Sequence, residues 1–253
     1  MGAQNAVRII EDMWGLFSRK YLLIQLQEMN EDIHQLIQKL QESAALSGLR
    51  LRQFYKHVEK DKEEYLLQML DSRINSLQFY DIIIQKLDHV LRTHFLLIED
   101  LKKGLQQQDS ERDAASFLLI FPEVMQLHEG LLQLIKEEYS REINELERHF
   151  IKVSQDQIPK EAVDIQLEFY RKTIEQFLDQ VMERTKEFTR LSEQEEDADL
   201  SKLKSTRFQH VLSLYTMNSE REVFKSKFSH RPFCALVAMD EDAPDEENDV
   251  ELF

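Results

Sequence analysis

Apolar residues in this chain recur at alternating intervals of three and four over long stretches, and this spacing constrains the fold more than any other feature. From Leu67 to Leu105 the ladder reads Leu67, Leu70, Ile74, Leu77, Ile84, Leu87, Leu91, Ile98, Leu101 and Leu105. A repeat of about 3.5 residues keeps one stripe of a helix turned toward a neighbouring helix, so such a segment is built to be paired. The pattern returns at Leu26, Met29, Ile33, Leu36 and Leu40, and again at Leu167, Tyr170, Ile174, Phe177, Val181, Phe188 and Leu191.

Composition supports the helical reading. Only 5 Gly and 4 Pro are spread through 253 residues, and Gln, Glu, Leu and Lys, all good helix formers, fill the intervals. The expected class is all-α: long coiled-coil helices with short breaks and an acidic, disordered C-terminal tail. The expected divisions are an N-terminal helix over 1–46, a coiled-coil helix over 51–107, a coiled-coil or hairpin region over 109–191, an acidic linker or helix face over 192–204, a C-terminal helix over 205–229, and a tail over 230–253. Gly48 marks the first break. Asp109-Ser110-Glu111 reads as a helix restart with an acidic first turn, and Pro159 closes the third helix. At Gly48, Asp109 and Pro159 the helices either extend or fold back.

Phe117-Leu118-Leu119-Ile120-Phe121, closed by Pro122, is the most apolar run. It reads either as a helix-to-helix corner or as a docking knob for another subunit. Asp81, His94 and Arg184 are polar interruptions of the ladders, of the kind that fixes register or partner choice. Phe208, Val211, Leu212, Tyr215, Phe224 and Phe228 mark a last helix with an aromatic face. Phe233 to Met239 looks like a short extended run, and Asp240 to Phe253 is too acidic to bury a core alone.

Charge narrows the partners. With 48 acidic against 32 basic residues the net charge is −16, so nucleic acid and anionic membrane are expected to be repelled. No segment approaches the roughly 20 apolar residues of a membrane span, and Met1 to Lys20 lacks the apolar core of a secretory signal. A single Cys234 forms no internal disulfide, which suits a reducing, cytoplasmic compartment.

Catalytic chemistry finds no constellation. There is no Gly-rich phosphate loop, zinc-binding His-Glu-x-x-His helix or nucleophile elbow. His89 with His94, and His128 with His149, lack the spacing that puts two imidazoles on one helical face. Glu31 and His34 have the Glu-x-x-His spacing of a di-iron bundle, and Glu145 with His149 misses it. Catalytic, cofactor and metal residues are therefore expected to be none.

Several fragments carry a resemblance. His89-Val90-Leu91-Arg92-Thr93-His94, then Arg141-Glu142-Ile143 with Leu146 and Phe150, then Leu167-Glu168-Phe169, then Phe208-Gln209 with Leu212, Tyr215-Thr216 and Glu220, occur in order over roughly His57 to Glu220. In order and approximate spacing the chain resembles a divergent or shortened relative of the subunit 2 family of the nexin-dynein regulatory complex, the coiled-coil sperm-tail family. The family's Lys-rich N-terminal arm and its long helical continuation have no counterpart here. The resemblance implies a non-enzymatic scaffold in the ciliary or flagellar axoneme, paired with a sister coiled-coil subunit on doublet microtubules and helping to regulate dynein. Leu67, Leu70, Ile74, Leu77, Ile84, Leu87, Leu91, Ile98 and Leu101 are the expected partner contacts. A compact helical adaptor, with its acidic C-terminal peptide as the docking element, is the alternative.

Overall fold

The structure, a computed structural model, describes residues 4, 8, 19–61, 77–106, 117–153, 161–189 and 198–237. Among these residues the regular secondary structure is helical throughout, as an all-α chain requires. Four long helices come first: α1 (Arg19–Asp61), α2 (Gln78–Gln106), α3 (Phe121–Val153) and α4 (Glu161–Thr189). A 3-10 turn, Phe117–Ile120, leads into α3, and three shorter helices follow, α5 (Ala198–Leu212), α6 (Asn218–Phe228) and α7 (Pro232–Leu236).

The long helices fold back on one another. α1 packs on α2 and α4, and α3 packs on the same two. Side-chain pairs give the directions. Asn30 meets His94 and Ser43 meets Tyr80, so α1 and α2 are antiparallel. Lys86 meets Glu138 while His94 meets His128, so α2 and α3 are too. Lys136 reaches Asp179 and Phe121 stacks edge-on against Phe188, which makes α3 and α4 antiparallel. Tyr21 reaches Glu187 and closes the ring between α4 and α1. The result is an up-down-up-down four-helix bundle.

The ladders supply its core. On α1, Leu22, Leu26, Met29, Ile33, Leu36 and Leu40 are fully buried, and the helix carries Ser43 and Ser47 on the same stripe. Ile174, Val181 and Phe188 do the same on α4. Each large apolar side chain removed from water is worth about 2 kcal/mol, so these stripes dominate the stability of the ring. Among the described residues these stripes pack against one another inside one chain.

Several boundaries differ from the sequence expectation. α1 runs straight through Ser47 and Gly48 to Asp61. A single Gly costs a helix only about 1 kcal/mol, and packing on both sides outweighs it. Residues 205–229 form parts of two helices joined by a turn, with Glu220 capping α6 by accepting from the Met217 N–H at 3.2 Å. α5 begins at Ala198, within the stretch expected as either an acidic linker or a helix face, and runs to Leu212. Pro232–Leu236 is a helix and not an extended run; Pro at its first turn favours that start, and Phe233 is buried against Phe208 and Phe228. The restart at Asp109-Ser110-Glu111, the break at Pro159 and the tail 240–253 lie outside the described residues.

Phe117 to Phe121 resolves as a corner. Leu118, Leu119, Ile120 and Phe121 are buried in the chain's own core, and the Phe117 N–H donates to Asp100 at 2.6 Å. No helix is long and apolar enough to cross a membrane among the described residues.

Candidate functional site

Of the expected partner contacts, Leu67, Leu70 and Ile74 fall outside the described residues. The other six share one side of the α2 segment. Leu87, Ile98 and Leu101 are buried core residues, and Leu77, Ile84 and Leu91 are half-buried against them. The ladder's last member, Leu105, is 51% exposed. Among the described residues, Ile82 and Phe95 on the same helix, Ile24 and Leu49 on α1, and Phe169 on α4 are the other exposed large apolar side chains.

Two of the polar interruptions have structural partners. Arg184 on α4 crosses to α1, donating to Glu28 at 2.6 Å and lying 3.3 Å from Asp32. Asp81 is exposed. His94 is the informative one, because it opens onto a buried polar chain that joins five elements.

The carboxamide Oδ1 of Asn30 on α1 lies 2.6 Å from His94 Nδ1. His94 Nε2 lies 3.0 Å from His128 Nδ1 on α3. His128 Nε2 lies 2.8 Å from the hydroxyl of Tyr215, in the turn between α5 and α6. That hydroxyl lies 3.0 Å from Thr93 Oγ1 on α2, and Thr93 donates in turn to the His89 carbonyl at 3.1 Å. Finally His89 Nδ1 donates to both carboxylate oxygens of Glu220, at 2.8 and 3.0 Å. His89, Thr93, His94, His128 and Glu220 are all buried. Such a chain fixes which helix faces which, since a misplaced neighbour would leave buried polar groups unmade.

Burial also sets the charge states. His94 is pushed down to about 3 by removal from water. His128 is lowered well below its ordinary value, first by burial and then by His94. Burial raises the Tyr215 hydroxyl, with Thr93 pulling the other way. At neutral pH the His94–His128 pair is uncharged.

A second buried contact anchors the C-terminal helices. Lys204 on α5 pairs with Glu123 in the first turn of α3, both side chains being 2% exposed, and its ammonium lies 5.9 Å from the Phe233 ring centre. Lys86 pairs with Glu138 at 2.5 Å between α2 and α3.

Sequence spacing tested His89 with His94 and His128 with His149; the structure brings His94 to His128 instead. The contact is made between helices, so neither i, i+3 nor i, i+4 spacing reveals it. A polar residue at a ladder position was the only signal. Among the described residues no group of three or more His, Cys, Asp or Glu is placed to hold a metal ion. His34 is exposed and donates to its own helix at the Asn30 carbonyl. Cys234 is half-buried, and burial raises its thiol pKa.

No protein-family model, curated protein or solved structure matches the chain significantly.

Proposed function

We propose that this chain is a non-enzymatic helical scaffold that acts by holding other proteins, as a subunit of a ciliary or flagellar axonemal assembly of the nexin-dynein regulatory kind. The observation that carries this reading is the ordered set of fragments from His89 to Glu220 that resemble subunit 2 of that complex. In that role it pairs with a sister coiled-coil subunit, contributes to assembly on doublet microtubules and helps to regulate dynein-driven motility. Pairing through the ladder from Leu67 to Leu101 has a physical requirement: Leu87, Ile98 and Leu101 must exchange bundle neighbours for the partner's helix. Similar apolar area is buried before and after such an exchange, so its free-energy change is small beside the burial itself. Crosslinking mass spectrometry on native axonemes tests the reading. Crosslinks from this chain to a sister subunit and to doublet tubulin are expected; their absence from axonemes that contain the chain overturns it.

A compact adaptor is the second reading, and the closure of the ladders inside one chain favours it. Its partner would be held by the acidic peptide 240–253. Deleting 240–253 abolishes partner binding under the adaptor reading and leaves it intact under the scaffold reading.

A further inference from the structure

The hydroxyls and imidazoles that tie the C-terminal helices to the bundle have a restricted proton order. Suppose the Asn30 carboxamide presents its nitrogen to His94, a half-turn that leaves its shape unchanged. Then Asn30 donates to His94 Nδ1, His94 Nε2–H to His128 Nδ1, His128 Nε2–H to the Tyr215 oxygen, Tyr215 to Thr93, and Thr93 to the His89 carbonyl. Every contact at the distances given above is made, with both imidazoles neutral. The opposite order runs from Tyr215 to His128 to His94 to Asn30. It forces the one Thr93 proton to serve Tyr215, and the His89 carbonyl loses it.

Protons disturb this order in steps. One extra proton on the pair is compatible with the hydrogen bonds only as a buried cation, with the Asn30 oxygen turned to His94. A second proton sets N–H against N–H across 3.0 Å. The groups facing the pair offer little relief: α1 contributes the neutral Asn30, α2 contributes Thr93 and His89, the α5–α6 turn contributes Tyr215, and the first turn of α6 contributes Glu220, whose carboxylate is engaged by His89.

We propose that Tyr215 to Phe228 is an acid-released clasp, held on α2 and α3 by a hydrogen-bond chain that needs neutral imidazoles and detached from the bundle when the His94–His128 pair takes up protons. Detachment bares His128 Nε2, which in the closed state faces Tyr215. It also lifts α6 off α3, where Val223 and Lys227 lie over Gly130. The four long helices keep their ladder contacts, so the opening is local.

Hydrogen exchange on the full chain at about pH 7.5 and about pH 5.5, corrected for the intrinsic rates, tests the proposal. Opening of α6 and the 212–217 turn is expected to rise about 10-fold if one imidazole is protonated on release and about 100-fold if both are, relative to an ordinary His pKa near 6.5. Amides in the middle of α1 to α4 are expected to keep their protection. In His128→Gln the rise in α6 is expected to be about 10-fold smaller than in the wild type. Nitrogen NMR of the imidazoles near pH 7.5 provides a check that needs no variant: both His94 and His128 are expected as neutral Nε2–H tautomers. A pH-independent opening of α6, an equal loss of protection in all helices, or an Nδ1–H tautomer at either residue overturns the proposal.

Discussion

Leu87→Ala and Leu105→Ala separate a ladder closed inside the chain from one left open for a partner. Both residues belong to the same three-and-four pattern on α2. Leu87 is fully buried in the core, whereas Leu105 is 51% exposed. Truncating a fully buried Leu removes the transfer free energy of its methyl and methylene groups and leaves a cavity, together about 3 to 5 kcal/mol. Leu105 loses only part of a half-wetted surface, about 0.5 kcal/mol or less. With a urea m-value of about 3 kcal/mol/M for a chain of this size, Leu87→Ala lowers the midpoint by about 1 M or more. Leu105→Ala shifts it by roughly 0.2 M. The assay is urea unfolding of the isolated chain followed by circular dichroism. If Leu87→Ala left the midpoint within that smaller shift, Leu87 would not be packed by its own chain and the bundle would be wrong.

Three further outcomes are expected. Gly130→Ala places a Cβ 2.7 Å from Val223 Cγ1 and 2.9 Å from Lys227 Cε; the lysine can swing away but the valine cannot, so the helix-propensity gain of about 1 kcal/mol is outweighed and exchange in α6 rises. Lys204→Met leaves the buried Glu123 carboxylate without its ammonium and costs about 3 to 5 kcal/mol by thermal or urea unfolding, most of it recovered in the double variant with Glu123→Gln. Acid weakens the fold through His94: its folded pKa is depressed to about 3, so the stability it contributes is complete above the unfolded value near 6.5. That stability is lost as pH falls toward about 3, at about 1.4 kcal/mol per pH unit, and pH-dependent urea titration of wild type against His94→Gln reads the difference.

The helices were legible because their signal is local. Leu22 to Leu40 on α1 carry the period that a buried helical face demands and are buried along it, whereas on α4 Ile174, Val181 and Phe188 are buried but the ladder's Phe177 is half-buried and Leu178 takes its place in the core. Gly48 misled, because a local penalty of about 1 kcal/mol is small beside packing that sequence inspection does not see. The extended reading of Phe233 to Met239 failed for the same reason: a short apolar run has no period of its own, and the aromatic cage of Phe208 and Phe228 decides its conformation. The polar chain was half-legible. His94 announced itself as a polar residue on an apolar stripe, but its partners Asn30 and His128 lie 64 and 34 positions away, and Tyr215 lies 87 positions beyond His128, so only the fold brings them together. The ladder told that α2 must be paired; it carried no mark to distinguish a helix of the same chain from a helix of another.

Small-angle X-ray scattering of the isolated full chain tests that closure most directly. Laid end to end, the four long helices would span roughly 200 Å at about 1.5 Å per residue, which as a rod gives a radius of gyration near 60 Å. Folded into an antiparallel bundle no longer than α1, about 65 Å, the chain gives about 20 to 25 Å. A monomer at the smaller value is expected, and a monomer approaching the larger one would contradict a bundle closed within a single chain.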